Sequence, residues 1–310
     1  MRVVVMAVTV ARSGRRVDYL AGRRRAHPIA VSVAAVTSAA TSDRTVGNLL
    51  RGWRQRRRLS QLELALGAGV SARHLSFLET GRARPSRDMV LHLAEQLDVP
   101  LRERNELLTA AGFAPAYTRR GLGEPDMGTI RAALDLVLAA YEPFPAVVVD
   151  RAWNLVAANR AVPVLTAGVA PHLLEPPANV LRLSLHPDGM APRILDLPQW
   201  RRHVLHRLAR EAELTGDPGL GALHRELLAL PGGLARTPPP NGIAVPLRVR
   251  SGDAVLSFLT TVTTFGTAVD LTAAELSIEA FLPADAATGE AVRAAVCAGS
   301  ERAPVSRPTG

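Results

Sequence analysis

The sequence predicts a multidomain protein of two fold classes, an all-α domain of five short helices followed by an α+β domain, and three observations carry this. The chain has 310 residues with 47% hydrophobic content, enough for two packed cores at roughly 150 residues per domain. Residues 45–116 repeat one unit, an apolar stripe at helical spacing between a cap signal and a stop signal. Beyond a Gly-, Pro- and charge-rich linker at 117–127, residues 128–298 bracket helical stretches with short apolar runs that read as strands. Residues 1–44 read as a disordered basic extension, either a misassigned start or an arm on DNA phosphates, and 299–310 as a disordered tail.

The first helix follows from Val46, Leu49, Leu50 and Trp53 on one stripe and runs to about Arg57. Ser60 and Glu63 form a capping box, with Leu59 and Leu64 at the staple positions, so the second helix begins at Gln61 and ends near Gly67 to Gly69. Ser71 caps the third, Val70 and Leu75 staple it, and Gly81 ends it. Two capped helices about a Gly-bearing turn make a helix-turn-helix. A fourth helix starts after Pro85-Ser86 and stops at Val99-Pro100, and a fifth runs from about Leu101 to Ala111.

In the second domain a helix over Thr129–Tyr141 leads through Pro143 and Pro145 to a buried strand, Ala146–Asp150. A turn at Arg151-Ala152 returns through Trp153–Ala158 as a hairpin. Helices are expected over Pro198–Leu214 and Gly219–Leu230. After a Pro-rich break at Thr237–Asn241 come strands at Ile243–Arg250, Ala254–Thr264 and Leu276–Leu282, and a last helix at Ala286–Cys297. Strands, then helices, then strands predict a sheet with helices on one side.

Charge is distributed unevenly. Residues 1–44 and 45–120 each carry a net +6, whereas 121–310 carry −3, and every basic side chain is Arg. Coding bias in a GC-rich genome accounts for Arg over Lys but not for the asymmetry, which is the footprint of a nucleic-acid-binding module at the N-terminal side. The single cysteine, Cys297, excludes an intramolecular disulfide framework and a thiolate metal cluster, and with no apolar run of 18 residues it points to the cytoplasm and away from membranes. His203, His206 and His224 lack acidic neighbours on their faces and lie among arginines, so no metal site is expected. GDPGLG at 216–221 lacks dinucleotide-binding spacing, and neither a nucleophile elbow nor a P-loop occurs, so no catalytic constellation and no cofactor are expected.

The run LSQLELALGAGVSARHLSFLETGRARPS, with its Ser-Gln opening, Gly-Val-Ser turn and Leu-Glu-x-Gly-x-x-x-Pro exit, resembles the XRE-type, phage-repressor-like helix-turn-helix family over residues 45–113. Counting about 100° per residue, Leu75, Leu78, Ser71 and Glu79 face inward while Arg73, Ser76, Phe77 and Thr80 face outward. The resemblance implies that helix 71–80 enters the major groove of double-stranded DNA. Arg73 would read guanine O6 and N7, Ser71, Ala72 and His74 would lie by base edges or phosphates, and Phe77 would meet a thymine methyl. Gln61, Arg82, Arg84 and Arg87 match the family's phosphate-contacting positions, which fix register without reading sequence. Glu79 needs a partner on the inward face, and Arg54 can supply it. Arg54 to Arg58 otherwise read equally as a solvated helix end or a DNA contact. Specific readers of this kind dimerise on half-sites about one helical turn apart, which implies a homodimer.

EPFPAVVVDRAWNLVAANRA, NVLRLSLHPDGMAPRILDLPQW and LSFLTTVTTFGTAVDLTAAELSIEAFLPAD resemble the MmyB-like ligand-binding domain, a PAS-like fold that follows such a helix-turn-helix in bacterial regulators. The resemblance implies a sensor holding a small apolar, fatty-acid-like ligand between sheet and helices. Trp153, Leu181, Leu185, Trp200, Phe258, Phe265 and Phe281 fit a pocket lining or an ordinary core. Asn179 opens a helix on which Arg182 and His186 stand four apart, where they would hold a ligand carboxylate; His186 equally reads as a helix end before Pro187 and Gly189. The alternative is a regulator whose C-terminal domain binds a protein partner or only dimerises. A nonspecific DNA-coating protein is disfavoured by the mixed outward face of helix 71–80.

Overall fold

A computed structural model describes residues 44–237 and 244–301. The N-terminal extension before Arg44, the tail beyond 301 and most of the Pro-rich break, with Ile243, lie outside the described residues.

Five helices form the first domain: α1 Val46–Arg56, α2 Gln61–Gly67, α3 Ala72–Glu79, α4 Arg87–Gln96 and α5 Leu101–Ala110. Their starts follow from side-chain caps. Thr45, Ser60, Ser71 and Ser86 each accept a backbone N–H three residues on, at 3.1–3.3 Å, and Glu63 returns a bond to Ser60 N at 2.7 Å. Pro100 opens α5 without a side-chain bond, its missing N–H lying where the helix needs none. Leu50, Trp53, Leu64, Leu75, Leu93 and Leu107 close one core beneath them. α1 approaches α3 so closely that a Cβ on Gly47 would stand 2.5 Å from the carbonyl oxygen of Leu78, so only glycine fits.

The second domain opens with α6 Gly128–Tyr141 and a hairpin, β1 Ala146–Val149 and β2 Leu155–Ala158. Short helices α7 Pro163–Thr166, α8 Pro171–Leu174 and α9 Val180–Leu185 lead to the longer α10 Leu197–Thr215 and α11 Pro218–Ala229. Strands β3 Leu247–Ser251, β4 Ala254–Thr264 and β5 Ser277–Pro283 follow, with α12 Leu271–Ala274 before β5 and α13 Ala286–Glu301 after it. The sheet is antiparallel throughout, in the order β2-β1-β5-β4-β3, so the hairpin at the start of the domain pairs with its last strand.

Three expectations are corrected. Helices cover both faces of the sheet: α9, α10, α11 and α13 contribute to the cluster with Val147, Val149, Val249 and Phe258, while α6 packs Leu134 and Leu138 on Ala146, Val148 and Ile278 behind it. β1, buried at every residue, is the strand that requires two covers. Trp153 belongs to the turn, at φ 66°, because Asp150 Oδ1 accepts from both Ala152 N and Asn154 N and closes an Asx turn. β3 begins at Leu247, after Pro246, which has no N–H for the ladder.

Candidate nucleic-acid interface and sensor domain

Two classes of arginine separate on the first domain. Arg54 donates Nε to Glu79 Oε1 at 2.7 Å and Nη2 to Oε2 at 2.8 Å, and Gln61 Nε2 adds a bond to the same Oε2 at 2.8 Å. Burial pushes the Glu79 carboxyl up, but the hydrogen bonds from Arg54 and Gln61 and the charge of Arg54 outweigh it and hold it below the usual carboxylate range. Arg57 donates to the carbonyls of Leu97 and Asp98 at 2.7 and 2.6 Å, closing the C-terminal end of α4. Two members of the Arg54–Arg58 cluster are therefore fixtures of the fold.

Around α3 the arrangement is the opposite. Arg73, Arg82, Arg84 and Arg87 are exposed, and none has a carboxylate partner among the described residues. Phe77 is half-buried under two cations, Arg73 at 5.4 Å and Arg82 at 6.0 Å from its ring centre, which accounts for an outward phenylalanine before any DNA is present. Thr80 returns its hydroxyl to the Ser76 carbonyl at 2.7 Å, and Ser71 Oγ is engaged by His74 N. Ala72, His74 and Ser76 are half-exposed on the helix between them. Gln61 sits beside this surface with its amide turned to Glu79.

The residues considered for the ligand are not brought to one place. Trp153, Trp200 and Phe258 share the main cluster of the second domain, whereas Phe265 packs behind the sheet with α6. Trp153 Nε1 bonds Glu211 Oε2 at 3.1 Å and Trp200 Nε1 bonds Ser184 Oγ at 2.8 Å, so both indoles are anchored. Burial raises the Glu211 carboxyl. Asn179 caps α9 and donates to Ala152 O at 2.7 Å, Arg182 is paired on both nitrogens with Glu226, and His186 ends α9 beside Asp188.

Sequence reasoning missed the junction between the domains. Arg102 of α5 binds Glu275 through two bonds of 2.6 Å, and Arg151, on the β1–β2 turn, reaches Glu275 at 3.1 Å, Glu103 of α5 at 3.0 Å and Asp217. A cavity of about 1120 Å³ opens at this junction, lined by these groups together with Arg56 and Arg120. No spacing in a single sequence marks charges that meet only after both domains fold.

The model of the MmyB-like transcription regulator ligand binding domain matches residues 130–295, over half of the chain, and a helix-turn-helix model matches residues 50–104. The chain belongs to the MmyB-like transcription regulators. No curated protein matches this MmyB-like chain closely enough to count as a relative. It is a DNA-binding transcription regulator with an XRE-type helix-turn-helix and a ligand-binding domain. Both families are those of regulatory and DNA-binding domains, not of enzymes. No helix among the described residues of this MmyB-like regulator is long and apolar enough to cross a membrane.

Proposed function

We propose that the chain is a sequence-specific regulator that reads its operator with α3, as a homodimer in the cytoplasm, and that a small apolar molecule held by the C-terminal domain modulates it. The observation that carries the reading is the division among arginines: the inward ones are bonded within the fold, while those around α3 carry unneutralised charge on one surface. Arg73, held over Phe77, is the guanine reader, with Ser71, Ala72, His74, Ser76 and Thr80 beside it and Phe77 toward a thymine methyl. Arg82, Arg84, Arg87 and the remaining amide hydrogen of Gln61 serve phosphates.

The test is fluorescence anisotropy at fixed salt with the intergenic DNA beside the gene against scrambled DNA. Wild type should prefer the native fragment roughly a thousandfold, and Arg73→Ala should cost about 1–3 kcal/mol on that fragment alone. Arg84→Ala should weaken both DNAs alike and lower the salt slope by about 1. A selection from genomic fragments that finds no preferred sequence overturns the reading. For the ligand, support comes from the family's ligand-binding domain and from the apolar cluster of Leu181, Leu185, Trp200 and Phe258 between sheet and helices. Fatty acids should raise the melting temperature of the full chain. A chain that purifies ligand-free, shows no such shift and is a stable dimer favours the alternative, a C-terminal domain for a protein partner or for dimerisation.

A further inference from the structure

On the second domain, outside the lining of the junction cavity, two histidines and an aspartate converge from separate elements. His172 stands on α8, His186 is the C-terminal cap of α9, and Asp188 follows in the next turn. One ligand atom from each lies within 4.8 Å of the others. Asp188 Oδ2 is 4.0 Å from His172 Nε2 and 3.8 Å from His186 Nδ1, and the two imidazoles meet edge to face at 6.0 Å. These separations are too long for hydrogen bonds between the side chains. They are close to the ~3.4 Å that separates donors around a tetrahedral ion with bonds of about 2.1 Å. Small side-chain rotations bring all three onto one ion.

The backbone holds the three in place. Ala170 N donates to Asp188 O at 2.9 Å, tying the segment of His172 to the turn of Asp188. Met190 N donates to Leu183 O at 2.8 Å, and a Cβ on Gly189 would stand 2.3 Å from that same oxygen, so the turn from His186 to Met190 has one tight course. Buried Leu185 and Met190 anchor its ends in the core. Asp188 N donates to His186 Nδ1 at 3.1 Å, so that nitrogen carries its lone pair on the side facing Asp188. An ion would displace this one local bond, worth about 1 kcal/mol.

We propose that His172, His186 and Asp188 form a reversible site for a first-row divalent ion of the zinc type. Two imidazoles and one carboxylate suit Zn²⁺ and its neighbours and are poor ligands for Mg²⁺ or Ca²⁺, which take oxygen. Nearby Glu226 is paired with Arg182 on both oxygens, so the fourth position falls to water and the ion stays exchangeable.

The experiment uses the full chain, free of any histidine tag and dialysed against chelator, titrated with ZnCl₂ by calorimetry and with CoCl₂ by visible absorption. The expected result is one saturable site per chain, a cobalt spectrum of tetrahedral or five-coordinate intensity, and no competition from excess Mg²⁺. His172→Ala and Asp188→Ala should each weaken Zn²⁺ at least tenfold, while His203→Ala and His224→Ala leave it unchanged. All four positions lie at or near the surface, and the melting curve of each metal-free variant checks that it folds. Absence of saturable binding, or equal affinity in wild type, His172→Ala and Asp188→Ala, overturns the proposal.

Discussion

Glu79 shows how far one residue can be read from sequence. The helical wheel places it inward, where an unpaired carboxylate is costly, and puts Arg54 at the matching level of α1; the structure joins them by two bonds, with side-chain exposures of 1% and 11%. Removing one partner leaves the other charge buried, so Arg54→Ala should destabilise the chain by about 3 kcal/mol in denaturant melts. Glu79 titrates lower in the folded state than unfolded. Its contribution is therefore fully present above the unfolded value of about 4.3 and lost as pH falls through the folded value. Stability should drop as pH falls below about 4.3, the unfolded value, and Glu79→Gln should flatten that drop; an equal slope in both proteins would refute the assignment. Phe77 was only half legible. Its outward face follows from the wheel, but the cations that cover it include Arg82 from the following turn, whose course no periodicity encodes. His172, His186 and Asp188 were illegible together, because His172 reaches the turn of the other two through a backbone bond between distant segments.

At the scale of elements, α1 to α4 of the first domain were legible because their starts are written in side chains that bond a backbone N–H three residues on. Ser60→Ala should cost about 1 kcal/mol and Ser60→Gly only a few tenths, measured by thermal unfolding; both lose the Oγ that accepts from Glu63 N, and both keep the backbone N–H that donates to the Glu63 carboxylate. Gly47 carries a different message, since in a helix interior alanine is favoured over glycine by up to about 1 kcal/mol. Here the added Cβ would meet the backbone oxygens of Leu78 and Glu79 at 2.5 and 2.7 Å, and backbone cannot rotate away as a side chain can. Gly47→Ala should therefore lower stability by about 1–3 kcal/mol and weaken DNA binding by displacing α3; a rise in melting temperature would refute the close crossing. The sheet was less legible for a physical reason. β1 is four apolar residues buried on both faces, so it has no alternation to announce that α6 covers one side and α9 to α11 the other.

For the whole molecule, charge asymmetry between the N-terminal and C-terminal parts was readable, but its second use was not. Arg151 reads from the sequence as a turn residue; folding brings it together with Arg102 and Glu103 of α5, Asp217 and Glu275 into one cluster across the junction. Burial lowers the affinity of Arg151 for its proton, and the charges of Glu103, Asp217 and Glu275 more than restore it, so the guanidinium stays charged at any working pH. Burial also raises the Glu103 carboxyl, whose Oε2 has no hydrogen-bond partner among the described residues, which leaves that acid dependent on Arg151 for compensation. A shift of the β1–β2 turn would therefore act directly on α5, the helix that closes the core behind α3. Arg151→Met keeps the apolar stem of the side chain and removes its charge, leaving Glu103 and Asp217 without their shared cation while Glu275 keeps Arg102. Amide exchange across α5 and residues 117–127 should then accelerate, and thermal unfolding should broaden or split into two transitions as the domains uncouple. Arg102→Ala and Glu275→Ala should show a coupling energy of about 1–2 kcal/mol in a double-mutant cycle, because they share two short bonds. Unchanged exchange in Arg151→Met together with strictly additive cycle energies would mean that the junction transmits nothing between the two domains.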